Sequence, residues 1–183
     1  FNGTLVNPYS GYTINISDMM NVNNGIYDGR NGTDTLSMTS MGDILQLVDA
    51  AGTIMVKNVE IFSAGDDGDV INLAHSDVTY GNVTIRGSNG DDVLWSNLGN
   101  DVVQGGNGND IMDGGGGNDT LSGGKGNDAL NGGTGNDVFQ LTRGDGQDTI
   151  TDTSGASDRL NFGSGINPLD LMLSQSANDL RIA

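Results

Sequence analysis

Cysteine is absent, His75 is the only histidine, Glu60 is the only glutamate, and Pro8 and Pro168 are the only prolines. Without cysteine the chain has no disulfide, no thiol nucleophile and no cysteine-ligated zinc, so a secreted version of it needs another staple. No run of about 18 apolar residues is present, so no hydrophobic helix spans a bilayer. No basic-then-apolar start marks a cleavable signal peptide, and a piece excised from a longer chain is expected. Basic residues are scarce too: 7 Lys and Arg against 24 Asp and Glu leave a net charge of −17. So negative a surface repels phosphate backbones and anionic lipid, which argues against nucleic acid and membrane as partners.

What the chain has instead is glycine and aspartate. Glycine is 31 of 183 residues, and with one Glu among 24 acids the remaining 23 are Asp. General surface acidity would use both acids. Short carboxylates beside glycine point to turns whose oxygens converge on something positive.

From Gly87 to Gln140 the chain falls into six nine-residue units: GSNGDDVLW, SNLGNDVVQ, GGNGNDIMD, GGGGNDTLS, GGKGNDALN and GGTGNDVFQ. The fourth place is always glycine (Gly90, Gly99, Gly108, Gly117, Gly126, Gly135). The sixth is always aspartate (Asp92, Asp101, Asp110, Asp119, Asp128, Asp137). The eighth is always apolar (Leu94, Val103, Met112, Leu121, Leu130, Phe139).

These units resemble the G-G-x-G-x-D-x-U-x repeat of RTX (repeats-in-toxin) proteins, closely over 87–140 and loosely on both sides. The resemblance implies an all-β fold, a parallel β-roll or calcium-loaded β-solenoid. In it each unit is a calcium-binding turn plus a short strand, and two units make one coil. It also implies secretion to the medium or to a bacterial cell surface.

Elementary chemistry fits that picture. Glycines let the backbone curl through positive φ, and calcium takes six to eight hard oxygens at about 2.3–2.6 Å from carbonyls and carboxylates. The sixth-place Asp supplies the carboxylate, the fourth-place Gly shapes the turn, and Asn107 at a third place joins the candidate ligands. The eighth-place side chain points inward, with its neighbours outward. With two units per coil, Asp92, Asp110 and Asp128 stack on one side, and Asp101, Asp119 and Asp137 on the other. Such stacking predicts roughly four internal calcium ions, with more at the ends if capping residues complete them. Without metal, the acids repel and a 34% hydrophobic chain cannot offset the entropy of ordering so much glycine. A calcium switch follows: loose without the ion, rigid with it.

The flanks repeat the pattern in degraded form. GRNGTDTLS from Gly29 offers Asp34, AGDDGDVIN from Ala64 offers Asp69, and RGDGQDTIT from Arg143 offers Asp148 after a two-residue insertion. Four regions result. Residues 1–63 form a strand-rich N-terminal lobe continuous with the roll, with strands at Tyr12–Ile16, Ile44–Val48 and Thr53–Phe62. Residues 64–86 are degenerate repeats, 87–140 the array, and 141–183 a C-terminal capping segment that covers the open end of the solenoid.

No enzyme is expected. There is no H-E-x-x-H and no G-x-S-x-G, and His75 reads as a surface or strand-end residue. Asp66-Asp67 and Asp91-Asp92 read as calcium ligands or loop solvation rather than a glycosidase pair. The tripeptide Arg143-Gly144-Asp145 and the sequons at Asn2 and Asn31 are strings that such a composition generates on its own.

Three functional readings remain. The first is a ligand-binding module of a secreted RTX adhesin, taking a peptide or glycan on a host or neighbouring cell. Trp95, at an outward ninth place, and Tyr80 are its candidate stacking residues. The second is a purely structural secretion and folding module of a larger exoprotein, passed unfolded through a type I channel. The third, ice binding, needs a regular outward row. The third places Asn89, Leu98, Asn107, Gly116, Lys125 and Thr134 provide none. The expectation is the adhesin, a monomeric module of a longer chain.

Overall fold

The computed structural model describes residues 5–6, 13–15, 27–28, 33, 35–38, 44–46, 56–74, 80–152, 157–166, 173–176 and 179–182. Within them the chain is all-β, without a helix, and winds as a parallel β-solenoid of about four turns through the repeats.

Each unit's last three residues alternate out, in, out, so one apolar side chain per unit is turned inward. Two parallel sheets result. The six-stranded sheet stacks β5 (Ile44–Gln46), β8 (Val70–Asn72), β10 (Val93–Trp95), β12 (Ile111–Asp113), β14 (Ala129–Asn131) and β16 (Thr149–Thr151). The eight-stranded sheet stacks β2 (Thr13–Asn15), β4 (Thr35–Ser37), β7 (Ile61–Ser63), β9 (Thr84–Asn89), β11 (Val102–Asn107), β13 (Thr120–Lys125), β15 (Val138–Leu141) and β17 (Arg159–Phe162). The strands of the opening region therefore continue the same two sheets. A third, smaller sheet joins β1 (Leu5–Val6), β3 (Tyr27–Asp28) and β6 (Val56–Lys57) in parallel. An antiparallel pair, β18 (Leu173–Ser176) and β19 (Asp179–Ile182), closes the described chain.

Register confirms two units per coil. Leu94 lies beside Met112, then Leu130, and Val103 beside Leu121, then Phe139. Outside the array the step lengthens: it is 18 residues from Asp92 to Asp110, 23 from Asp69 to Asp92, and 21 from Asp137 to Asp158. The strands keep their pairing across these longer steps.

The core is a single cluster made by the two inward rows, with Ile71, Leu94, Met112 and Leu130 on one sheet and Phe62, Ile85, Val103, Leu121 and Phe139 on the other. All nine are at most 2% exposed, and burial of such a side chain stabilises by about 1.5–3 kcal/mol. With one core residue per nine, this row is thin, and the turns must contribute the rest.

The sequence predicts a single strand over Thr53–Phe62; the structure has two, β6 and β7. Asn58 divides them with φ of 54°, a left-handed turn that a short amide side chain tolerates. The chain thereby passes from the small sheet to the eight-stranded one.

Candidate metal centre

In five of the six units the turn's second and fourth residues take positive φ. Gly106 and Gly108 stand at 124° and 135°, and Ser88 and Gly90 at 85° and 114°. Successive coils lie so close that one turn's carbonyl sits over the next turn's glycine. A β-carbon at Gly108, Gly126 or Gly135 would collide with the carbonyl oxygen of the glycine 18 residues earlier.

The sixth-place aspartates lie in two columns and are buried throughout the array. In each, Oδ1 accepts the backbone N–H of the aspartate one coil earlier. Asp110 takes that of Asp92 at 2.9 Å, Asp128 that of Asp110 at 2.9 Å, and Asp148 that of Asp128 at 3.1 Å. The second column runs in the same way: Asp119 accepts from Asp101 and Asp137 from Asp119, both at 2.8 Å, and Asp158 from Asp137 at 3.0 Å. Outside, a parallel ladder runs along the fifth place, where the N–H of Asn109, Asn118, Asn127 and Asn136 each meets the side-chain oxygen one coil earlier.

The other carboxylate oxygen is what marks the site. Oδ2 of Asp92, Asp110, Asp119, Asp128 and Asp137 is buried with no hydrogen-bond partner. An ionised oxygen in that state costs several kcal/mol unless a cation or proton meets it. Each one packs against a first-place glycine, where a β-carbon would collide with it. The β-carbon that Gly114 lacks would stand 2.6 Å from Asp119 Oδ2 and 2.6 Å from the Gly132 carbonyl oxygen. Only glycine fits there, and its lack of a side chain lets the carboxylate oxygen and the next coil's carbonyl oxygen converge. Gly87 and Gly105 are hemmed in the same way by their Asp and the next coil's carbonyl. Carboxylate and carbonyl oxygens without nitrogen or sulfur suit a hard cation.

Electrostatics agree. Burial raises Asp92 to about 7, Asp110 to about 6 and Asp119 to about 7; the backbone N–H bonds oppose this in part, and neighbouring carboxylates add to it. Burial pushes Asp128, Asp137 and Asp148 up as well. At neutral pH these groups are poised to exchange protons for a cation.

Residues 77–103 and 104–139 match the RTX calcium-binding nonapeptide repeat, in four copies. The chain carries RTX repeats. Repeats of this family bind calcium, and the orphaned Asp oxygens are where this chain would hold it; bound calcium supplies positive charge and oxygen coordination that let the stacked acids ionise together. A comparison with curated proteins finds no match.

The remaining candidates fall into different places. Asp69 joins the first column: its N–H donates to Asp92 Oδ1 at 2.7 Å and its Oδ2 accepts Gly65 N–H at 2.5 Å. Asp34 and His75 lie outside the described residues. Asn107 does not turn its side chain to the cradle; the amide is exposed and donates to Asn89 Oδ1 at 2.6 Å, because third-place residues face out along β11. Tyr80 is not a free stacking platform. Its ring meets Phe62 edge-on at 5.5 Å and its hydroxyl donates to the Val56 carbonyl at 2.6 Å. Trp95 is 38% exposed, at the outward place expected.

The sequence reading missed Asp152 and Asp158. With Asp137 they bring three carboxylate oxygens within 4.8 Å of one another at the end of the second column. The Asp137 N–H donating to Asp158 holds that carboxyl below the usual range. The signal was present in the register: Asp158 stands one strand-start before β17, as Asp137 does before β15.

Proposed function

We propose that this RTX segment is a calcium-triggered folding module of a secreted protein, kept loose at low calcium and set rigid outside the cell. The observation that carries the reading is the row of five buried, unpartnered Asp oxygens packed against first-place glycines. The thin core cannot hold so much stacked negative charge together by itself. A chain that cannot fold until it meets calcium suits export through a narrow channel. The test is circular dichroism of the metal-stripped chain titrated with calcium. A cooperative gain of β-signal, reversed by chelator and not reproduced by magnesium, supports the module. A chain already folded in chelator would end this reading.

A second reading, a peptide- or glycan-binding module of an adhesin, is favoured by Trp95. Its indole is part-exposed on the outer face, and Leu98 at 72% and Ile111 at 51% exposed accompany it on neighbouring units. Peptide and glycan arrays probed with the calcium-loaded chain test this. A saturable signal lost in chelator and weakened by Trp95→Ala supports it, and a blank from verifiably folded protein rejects it.

A further inference from the structure

One turn of the six breaks the pattern. The unit from Ser96 to Gln104 has serine at the first place, where the five others have glycine, and asparagine at the second. Its backbone differs accordingly. In every other unit the second and fourth residues take positive φ; in this one neither Asn97 nor Gly99 does.

Ser96 supplies a hydrogen bond that the glycines cannot. Its side chain is buried, and Oγ donates to Asp101 Oδ2 at 2.5 Å. The Asn97 N–H reaches the same oxygen at 3.4 Å. Oδ1 of Asp101 keeps the usual task, accepting Val83 N–H at 2.8 Å. Asp101 is thus the one sixth-place carboxylate of the array with both oxygens bonded by the chain itself. At Gly114 no side chain is present to bond the Asp119 Oδ2 that packs against it. At Ser96 a hydroxyl meets the carboxylate oxygen that stands unpartnered in the other five units.

The buried Asn97 amide is the second observation. It is 5% exposed, and neither Nδ2 nor Oδ1 has a partner. A buried amide lacking both a donor's and an acceptor's partner is matched by water, which accepts from one atom and donates to the other. A cation would serve the oxygen and be repelled by the N–H groups.

We infer that the Asp101 turn takes no calcium. It is closed by the Ser96 hydroxyl and holds water at Asn97, so the array loads its ions at the five glycine-lined cradles around one self-satisfied turn. This rests on the calcium reading above. It makes the second unit the one place in the array where the fold asks nothing of the metal.

Counting bound calcium by native mass spectrometry on the full chain decides the matter. Ser96→Gly opens the cradle and is expected to hold one ion more than the parent chain. Asp101→Asn is expected to leave the count unchanged, whereas Asp119→Asn lowers it by one. A Ser96→Gly count equal to the parent's, or an ion lost with Asp101→Asn, overturns the inference while leaving the calcium reading intact. A parent chain that binds no calcium at all overturns both. Should Ser96→Gly fail to fold, the Asp101→Asn and Asp119→Asn pair still gives the answer.

Discussion

Asp119 accepts the backbone N–H of Asp101 through Oδ1 at 2.8 Å and turns Oδ2 into a buried space with no partner. One oxygen holds the coil in register and the other waits for a cation, so the two roles separate by mutation. Asp119→Asn keeps an acceptor for the Asp101 N–H but removes the charge. Its expected effect is a calcium midpoint moved upward by tenfold or more, with near-parental structure at saturation. Asp119→Ala also strands a buried N–H, which costs about 1–3 kcal/mol further. Guanidinium unfolding in saturating calcium is the measurement; equal stability for the two variants would mean that the register bond contributes nothing.

Glycine is required at the array's fourth places for two reasons that can be told apart. Gly126 has φ of 143° and its missing β-carbon would strike the Gly108 carbonyl, whereas Gly144 has φ of 95° and nothing within 4 Å. Gly144→Ala therefore meets only the left-handed backbone penalty, about 1–2 kcal/mol. Gly126→Ala meets that penalty and must also push two coils apart. Its loss is expected to be at least twice as large in thermal or guanidinium unfolding. Similar losses at the two positions would show that coil contact adds no cost.

How much of this was legible in the residues depends on whether a position obeys the nine-residue rule. Leu94, Met112 and Leu130 fall in one row because inward spacing and two units per coil are both written in the repeat. The columns of Asp92 and Asp119 follow from the same arithmetic. What the repeat does not encode is what a side chain does when it departs from it. Ser96 looks like a tolerated substitution until its hydroxyl is seen on Asp101. Tyr80 looks like a surface aromatic because the lengthened coil hides that Phe62 and Val56 are its neighbours. Asn58 splits an apolar run that reads as one strand, since alternation says nothing about a single left-handed residue.

The thin core makes each inward residue count. Leu121 is fully buried, packed in register between Val103 and Phe139. Leu121→Ala is expected to destabilise the calcium-loaded chain by about 2–5 kcal/mol, because flanking coils fixed by their turns cannot collapse into the gap. Ile111, 51% exposed on the outer face of β12, serves as the control. Ile111→Ala is expected to stay within about 0.5 kcal/mol of the parent. A reversal of that order in denaturant midpoints would invert the assignment of inner and outer faces.

Protons compete with calcium for the same oxygens, and the direction follows from the carboxyl shifts. Asp92, Asp110 and Asp119 rise from the ordinary 3.8 to about 7, 6 and 7, with burial as the main cause. Asp92 faces the charges of Asp110, Asp69 and Asp91, Asp110 those of Asp128 and Asp91, and Asp119 those of Asp101, Asp137 and Asp113. Between the unfolded and folded values the folded chain binds more protons, so its stability falls as pH rises through that window. The calcium-free chain is therefore expected to gain β-structure on going from about pH 8 to about pH 5, protons taking over part of the cation's task. Calcium affinity moves the other way, since each ion must displace protons at acid pH, and its midpoint is expected to climb as pH falls below about 7. Circular dichroism of metal-stripped protein across this range, with calcium titrations at each end, reads both effects. A calcium-free chain that loses structure on acidification would mean that the buried carboxyls are stabilised as anions by something other than a bound cation.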